Sequence, residues 1–467
     1  MRILVVIANY GSRNDQYLER VLAEYRSMPY QIKIVILSNI QKDFGPDIEV
    51  KVGLPTANPY SLPFGHRQVF SGRINEYDIF IYSEDDMLIT AGNIETFLKQ
   101  SAMLPSDEIP GFLRFEKGPN GQISYCDIHA GYCWDAESVR SYGDLTFAFL
   151  SNEHAACYLL TRDQLQVAIN SGGFLVRPHE GKYDMREAAA TDPYTQCGFR
   201  KMICISQLRA SSVHHLPNNY VGRYGIDESD VHAQVNALLQ IERTGGSYAP
   251  LVQMQTGLIG IRYLRDHYAP ARSDILSLLD KGVESVLSFG CGETEIALTR
   301  NGIRVVAVPV DPVVSAPSSK KGVELVIGDL ESVTSQLRGQ TFDCLLFIDV
   351  LHLVEEPVKL IKTFMSYLKR DGLIYAVVPY IFGLRFLWGW VTRNEDWKAF
   401  REAGVRITHP GLVRKWFKEA GANPESLIYI PSNEGILSRM PQPRFLDPIV
   451  AKEFILRARR TANADLR

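Results

Sequence analysis

The sequence has no strong charge of either sign, no apolar run long enough to cross a membrane and no internal repeat. Its 50 Lys and Arg residues nearly balance 53 Asp and Glu residues, so the net charge is −3. A protein whose main partner is nucleic acid usually shows a clear basic excess, so the charge balance argues against that class of partner. No stretch of roughly 18 apolar residues is free of charge, which argues against a membrane span.

Cysteine is scarce and unpatterned. The seven Cys residues form an odd set without a C-x-x-C motif, so they indicate neither a disulfide framework nor a zinc ribbon. The apolar run at residues 3–7 continues directly into a polar turn, as a first buried strand does, and it lacks the features of a secretory signal. We therefore expect reduced, mostly buried thiols in a cytoplasmic protein.

Two α/β patterns follow each other along the 467 residues. Short apolar strands alternate with amphipathic helices in both, which predicts two doubly wound α/β domains in series, each with a mainly parallel sheet. The predicted divisions are a first domain at 1–225, a connector at 226–271, a second domain at 272–430 and a C-terminal tail with a basic helix at 431–467.

An acidic cluster is the sharpest feature of the first pattern. The apolar strand at residues 79–82 ends in Glu84, Asp85 and Asp86. Ligands of open α/β sheets bind at the carboxyl ends of the strands, and adjacent carboxylates repel one another unless a cation neutralises them. The cluster therefore predicts a Mg²⁺ or Mn²⁺ site that holds a diphosphate. The alternative is a solvated acidic turn or a helix N-cap.

Residues 1–220 resemble nucleotide-sugar glycosyltransferases of the GT-A type, whose D-x-D-like motif matches Glu84-Asp85-Asp86 here. The resemblance implies that Glu84 and Asp86 bind the metal, that Asp85 contacts the nucleotide-sugar donor, and that a late histidine, His214 or His215, joins the metal. Adjacent strand residues face opposite ways, so at most one histidine of the pair points inward.

The same resemblance implies roles for four further residues. Asn9 and Tyr10 would hold the nucleotide base, although both could simply shape a turn. Arg67 would bind a phosphate or be a surface helix residue. Asp192, placed at the start of a helix, would be the general base that deprotonates an acceptor hydroxyl, or else a helix N-terminal acid. Rivals for the base are Glu153, Asp184 and Glu187.

Residues 272–430 resemble class I S-adenosylmethionine-dependent methyltransferases. The matching motifs are Val286-Leu287-Ser288-Phe289-Gly290-Cys291-Gly292-Glu293, Gly328-Asp329-Leu330-Glu331 and Phe342-Asp343-Cys344-Leu345-Leu346-Phe347-Ile348-Asp349-Val350-Leu351-His352. The resemblance gives this region a Rossmann-like fold. It implies that Gly290 and Gly292 let the backbone approach the cofactor, that Asp329 lies near the adenine, and that His352 lies near the methyl-transfer centre as a base for a sugar hydroxyl.

The second region also departs from its family. Ser288 stands where an acid is usual, Thr294 where a glycine is usual, and the ribose-binding acid is displaced to Asp311. An acid–diol contact is worth roughly 1.5–3 kcal/mol, so these changes should weaken the cofactor site. Two hypotheses remain open: an active sugar O-methyltransferase with an altered site, or a degenerate domain kept for packing, oligomerisation or acceptor binding.

An aromatic segment follows the second region's last predicted strand. Residues 380–391 are rich in Phe, Tyr and Trp but too few to span a bilayer. The segment is either an interfacial stretch that touches a membrane or a lipid-linked acceptor, or a lid over the methyltransferase crevice.

Together these features predict a metal-dependent glycosyltransferase, preferably inverting, fused to a methyltransferase-like domain. The expected partners are a nucleoside diphosphate sugar donor and a glycan or lipid-linked glycan acceptor, with Mn²⁺ or Mg²⁺ as cofactor. The alternatives are a sugar O-methyltransferase that uses S-adenosylmethionine while the first domain holds the acceptor, and a non-catalytic glycan-binding scaffold.

Overall fold

The computed structural model describes residues 1–129, 131–244, 251, 267–380, 405–431 and 451–461. The chain forms two compact units, Met1–Gly246 (unit 1) and Ser247–Arg467 (unit 2). Of the aromatic segment 380–391, only Tyr380 lies within the described residues. Within the described residues, no helix is both long and apolar enough to cross a membrane.

Unit 1 contains fourteen strands among its described residues, arranged in three sheets. They are β1 (Arg2–Asn9), β2 (Gln31–Ser38), β3 (Ile48–Val52), β4 (Ile79–Glu84), β5 (Met87–Leu88), β6 (Glu108–Pro110), β7 (Leu113–Lys117), β8 (Ile123–Tyr125), β9 (Trp134–Tyr142), β10 (Leu145–Leu150), β11 (Cys157–Thr161), β12 (Arg200–Cys204), β13 (Ser212–His215) and β14 (Ile226–Asp227). The first sheet has the order β11-β4-β1-β2-β3, and only β11 runs antiparallel to its neighbour.

Apolar runs explain the centre of this first sheet. Strand β1 is buried along nearly its whole length because helices cover both faces of a parallel sheet, which is why its sequence is continuously apolar.

The other two sheets have the orders β6-β12-β10-β9 and β14-β8-β7-β13-β5. Because β5 follows β4 after two residues and pairs with β13, the carboxyl end of β4 lies beside the last strands of the unit.

Six α-helices accompany these strands: α1 (Asp15–Ser27), α2 (Gly65–Gly72), α3 (Ala91–Ser101), α4 (Arg162–Asn170), α5 (Met185–Thr195) and α6 (Glu228–Arg243). Helix α1 presents Leu18, Val21, Leu22 and Tyr25 to the core at helical spacing.

Helix α6 corrects the predicted connector at 226–271. It buries Val231, Val235 and Leu238 within unit 1, and Gln234 accepts a 3.0 Å hydrogen bond from the indole of Trp134.

The described residues of unit 2 form one seven-stranded sheet. Its strands are β15 (Ser285–Phe289), β16 (Arg304–Val308), β17 (Glu324–Leu325), β18 (Phe342–Ile348), β19 (Leu368–Pro379), β20 (Ala422–Pro431) and β21 (Ala451–Arg460). The order is β17-β16-β15-β18-β19-β21-β20, and β21 is antiparallel to both of its neighbours. The strand order reverses beside β15, which is where open α/β sheets form their crevice.

The described helices of unit 2 are α7 (Ser273–Leu278), α8 (Glu293–Arg300), α9 (Pro312–Ser315), α10 (Pro317–Lys320), α11 (Leu330–Gln336), α12 (Pro357–Met365) and α13 (Pro410–Glu419). Their apolar faces enclose two core clusters around the central strands. At the centre, the rings of Phe289 and Phe347 stack 4.5 Å apart between β15 and β18.

The predicted basic helix near the C-terminus is wrong, because Ala451–Arg460 forms strand β21. The strand pairs with β19 and β20, and its apolar residues Phe454 and Leu456 are buried in the core of unit 2. Its arginines pair with acids on neighbouring elements, Arg457 with Asp280 and Glu425 and Arg459 with Glu425. Arg457 and Arg459 are two positions apart, so on a strand they lie on the same face and can both pair with acids there. Three arginines in a short stretch are therefore as compatible with a strand as with a helix.

Candidate functional site

A glycine turn forms the carboxyl end of β15. Gly290 has φ +102°, a left-handed conformation that any side chain would strain, and its N–H donates a 2.8 Å hydrogen bond to the carbonyl of Val308 at the end of β16. Helix α8 then begins at Glu293. Gly290, Cys291 and Gly292 are buried in this turn, at the strand end where open α/β sheets bind ligands. The approach of a cofactor to Gly290 and Gly292 stays a prediction.

Helix α8 brings a buried carboxylate next to Ser288 of strand β15. Ser288 is buried, and its hydroxyl donates a 2.7 Å hydrogen bond to the Oε1 atom of Glu295, which is itself buried. The hydrogen bond thus places a carboxylate beside the serine that stands where an acid is usual in the family. The sequence concealed this exchange because the two residues are seven positions apart.

The segment before α7 packs against the glycine turn. The Nδ1 atom of His267 lies 2.7 Å from the carbonyl oxygen of Cys291, and the backbone N–H of Arg272 donates to the hydroxyl of Thr294 over 3.1 Å. Thr294 is buried and acts as an anchor for this segment. Replacement of the usual glycine by Thr294 therefore has a structural reason.

Asp311 follows β16 and caps helix α9. Its Oδ1 atom accepts hydrogen bonds from the backbone N–H groups of Val313 and Val314, at 2.9 and 3.0 Å. Burial raises the pKa of Asp311 to about 6. Within the described part of the chain its Oδ2 atom has no hydrogen-bond partner, so one carboxylate oxygen remains for a ligand. The displaced acid thus sits next to the glycine turn.

The other predicted residues of unit 2 lie at nearby strand ends. Asp329 is exposed and caps α11, accepting a 2.9 Å hydrogen bond from the N–H of Ser332. His352 follows β18 but is fully buried, so an acceptor hydroxyl could not reach its ring without movement of the surrounding chain. Asp349, which the sequence analysis did not select, has φ +53° at the same strand end, a conformation that concentrates at functional sites.

In unit 1, Asp85 has a structural role. Its two carboxylate oxygens accept hydrogen bonds from the side-chain amides of Asn9, at 2.7 Å, and Asn14, at 2.8 Å. The amide oxygen of Asn9 accepts in turn from Lys42. This arrangement corrects the predicted donor contacts of Asn9 and Asp85, because their polar atoms are used between strands β1 and β4. Tyr10 is half-exposed beside them.

The remaining acids of the cluster face His215. Its Nδ1 atom lies 2.6 Å from Glu116 and its Nε2 atom 3.5 Å from Asp86. Burial, opposed by hydrogen bonds to Asp86 and Glu116, leaves the pKa of His215 raised to about 9. Burial and the charge of Asp86 raise the pKa of Glu84 to about 8. His215 thus contacts two carboxylates at the place where the sequence predicts a metal ion.

The predicted metal-ligand set is not assembled in this structure. Among the residues that the structure describes, no group of three or more His, Cys, Asp or Glu side chains has the arrangement of a metal site. His214 lies apart from the acids, because it alternates with His215 along β13 and its ring stacks on Phe115 at 4.9 Å.

Arg67 and Asp192 form a buried ion pair. The Nη2 atom of Arg67 lies 2.5 Å from the Oδ2 atom of Asp192, and both side chains are almost wholly buried. The Nε2 atom of His179 lies 2.9 Å from the same carboxylate oxygen. This geometry corrects two predictions. Arg67 is buried and so is not a surface residue, and Asp192 lies in the last turns of α5, whose N-cap is Asp184. The binding of a phosphate by Arg67 stays a prediction.

Comparison with known proteins assigns a family to part of the chain. Residues 261–427 match the family model described as a methyltransferase domain, which confirms the predicted resemblance and Rossmann-like fold of this region. No curated protein matches the chain. Because the matched region begins after unit 1, the resemblance of residues 1–220 to glycosyltransferases stays a prediction.

Solved structures that are similar to the chain include S-adenosylmethionine-dependent methyltransferases and a [4+2]-cyclase. An S-adenosylmethionine-dependent methyltransferase from Thermotoga maritima is 14% identical, with a TM-score of 0.29, over 40% of this chain and 86% of that chain. One from Archaeoglobus fulgidus is 17% identical, with a TM-score of 0.31, over 38% and 87%. One from Mesorhizobium loti is 17% identical, with a TM-score of 0.29, over 40% and 96%.

Proposed function

We propose that this protein transfers a methyl group from S-adenosylmethionine, on the premise that residues 261–427 form a class I S-adenosylmethionine-dependent methyltransferase domain. The observation that carries the proposal is the placement of the Gly290 turn and Asp311 at the ends of the adjacent strands β15 and β16. A cofactor with a ribose diol and an amino acid moiety requires an acidic acceptor and open backbone at such strand ends.

The residues present fit this cofactor. The Oδ2 atom of Asp311 would accept hydrogen bonds from the ribose hydroxyls, while its Oδ1 atom stays bound to the start of α9. The Glu295 carboxylate, held by Ser288, would provide negative charge beside the glycine turn. When bound, S-adenosylmethionine would supply an electrophilic methyl group. The chain would orient the acceptor, exclude water and provide a base for the proton that a hydroxyl loses on methylation.

Substituting asparagine for Asp311 provides the test. The asparagine oxygen can still accept the N–H groups of Val313 and Val314, but the charge toward the diol is lost. We expect the dissociation constant for S-adenosylmethionine to rise about 10- to 100-fold, as for the loss of a charge-assisted hydrogen bond. Isothermal titration of the full chain measures it, and Asp280→Asn, at an exposed ion pair with Arg457, is the matched control.

Two outcomes of this titration would refute the proposal. One is the absence of heat from the wild-type protein at millimolar S-adenosylmethionine. The other is an equal dissociation constant for Asp311→Asn and Asp280→Asn. The first would favour the degenerate domain, and the second would move the cofactor away from Asp311.

As acceptor class we propose a sugar hydroxyl on a glycan or lipid-linked glycan. This proposal is supported by the presence of unit 1 in the same chain. Strand β4 of unit 1 ends in the acidic motif of the nucleotide-sugar glycosyltransferases that unit 1 resembles. Radiolabel transfer from S-adenosylmethionine to a panel of glycans and small amines tests it. Transfer to amines alone would refute a sugar acceptor.

A second candidate activity for unit 1 is sugar transfer from a nucleoside diphosphate donor with Mn²⁺ or Mg²⁺. It is favoured by the buried Oδ1 atom of Asp86, which lacks a hydrogen-bond partner among the described residues. A divalent ion that displaced the His215 proton could bind Asp86 and Glu84, since carboxylates are the ligands that such ions prefer.

Asp86→Asn tests this candidate. We expect Mn²⁺-dependent donor hydrolysis to fall roughly 10- to 100-fold, because the ion would lose a charged ligand. Asp163→Asn, at an exposed position on α4, is the matched control. Hydrolysis that is independent of Mn²⁺, or equal in the two variants, would remove the glycosyltransferase candidate.

A further inference from the structure

A basic groove of about 590 Å³ opens on unit 1. Four cationic side chains line it, Arg20 from α1, Lys99 from α3, Lys117 from β7 and Arg209 from the loop before β13. Hydroxyl and amide groups line the space between them, contributed by Thr90, Asn93, Thr96, Gln207 and Ser212. We call this set of residues, with Phe115 and His214, the basic groove.

Three of the four cations of the basic groove have no carboxylate partner among the described residues. Within the described residues, Arg20, Lys117 and Arg209 form no ion pair, and Lys99 has only an exposed contact of 3.6 Å with Asp144. Glu95 is the single carboxylate among the lining residues. Four positive charges against one negative charge leave the groove with an excess of positive potential, in a chain whose net charge is −3. Such a concentration favours an anionic ligand.

Phe115 holds two of the groove's polar side chains, Arg209 and His214, in place. The guanidinium of Arg209 lies 3.8 Å from the centre of the Phe115 ring, and the His214 ring stacks on the same phenyl group at 4.9 Å. Burial, together with the nearby charges of Lys117, Arg20 and Arg209, lowers the pKa of His214. His214 is therefore a neutral hydrogen-bonding group among cations, and stacking reduces the freedom that Arg209 would lose on binding.

We propose that the basic groove binds a phosphate-bearing anion with more than one negative charge. Arginine matches phosphate oxygens with two parallel N–H groups, and lysine adds point charges at the rim. A multiply charged phosphate compound would neutralise the cations that the protein leaves unpaired. The groove is separate from the acids at the end of β4, since His214 and His215 face opposite sides of β13, and the proposal does not depend on methyl transfer.

Titration of the full chain with inorganic tripolyphosphate tests the proposal. We expect binding that weakens as salt is added, because exposed charges are screened. The double variant Lys117→Gln/Arg209→Gln should raise the dissociation constant about tenfold or more. Arg20→Gln alone, at an exposed helix position, should raise it by a smaller factor without affecting the Phe115 stack. The control Lys51→Gln/Arg177→Gln removes the same charge outside the groove.

Sedimentation with phosphatidylcholine vesicles, with and without phosphatidic acid, distinguishes a lipid headgroup from a free phosphate compound. Binding of tripolyphosphate that the groove variants weaken supports a soluble ligand. Binding only to vesicles with phosphatidic acid, again weakened by the variants, supports a headgroup. If neither probe binds, or if the groove variants bind as the control does, the basic groove is a solvated surface and the proposal is wrong.

Discussion

Replacing Arg67 with alanine is expected to lower the free energy of unfolding of unit 1 by about 3–5 kcal/mol, because Asp192 would remain buried without its closest cation. Removal of one partner from a buried ion pair is far more harmful than removal of an exposed pair, since the remaining charge has lost its hydration. His179 and Thr195 keep contacts to the carboxylate but bring no permanent charge.

Hydrogen exchange of the β1 and β4 backbone amides measures this loss within unit 1. Arg26→Ala is the control, because Arg26 pairs with Asp47 at the surface and should contribute less than about 1 kcal/mol. The double variant Arg67→Met/Asp192→Leu should recover most of the stability, since apolar side chains of similar size often replace buried pairs without loss. Equal protection in Arg67→Ala and Arg26→Ala would show that the pair is not a structural element.

The Arg67–Asp192 pair also shows a kind of contact that the sequence does not predict. The two residues are 125 positions apart, and each one alone has the appearance of a helix-surface charge. The sequence offers no periodic signal for such a long-range polar contact. The same holds for Asn9 with Asp85, which are 76 positions apart. Ser288 and Glu295 are close in sequence, but nothing in the types of the two residues indicates that they form a buried hydrogen bond.

Secondary structure close to the glycine turn was predictable because local signals agree there. Buried apolar strands, a left-handed glycine and an acid after the next strand are all features of short stretches of chain. The last strand of unit 2 was not predictable in this way. Strand β21 follows residues 432–450, its residues alternate imperfectly, and it gains its conformation by pairing with β19 and β20, so tertiary contacts override local preference.

A second large effect is expected from Phe347→Ala in the core of unit 2. Phe347 is fully buried, and its ring is parallel within 7° to that of Phe289, the residue that precedes Gly290. Truncation of a buried phenylalanine removes apolar contacts and leaves a cavity, which costs about 3–5 kcal/mol. Hydrogen exchange of the β15 and β18 amides should therefore show a loss of this size.

The position of Phe347 makes the same variant informative about function. Phe289 precedes the glycine turn, so a cavity below it should let the turn shift and weaken S-adenosylmethionine binding even where the chain remains folded. Phe347→Leu keeps most of the volume and should lose less than half as much stability. Phe174→Ala, a buried phenylalanine of unit 1, controls for a general loss of stability. Undiminished cofactor binding by folded Phe347→Ala would mean that the turn is held by its own hydrogen bond to Val308 rather than by the aromatic stack beneath it.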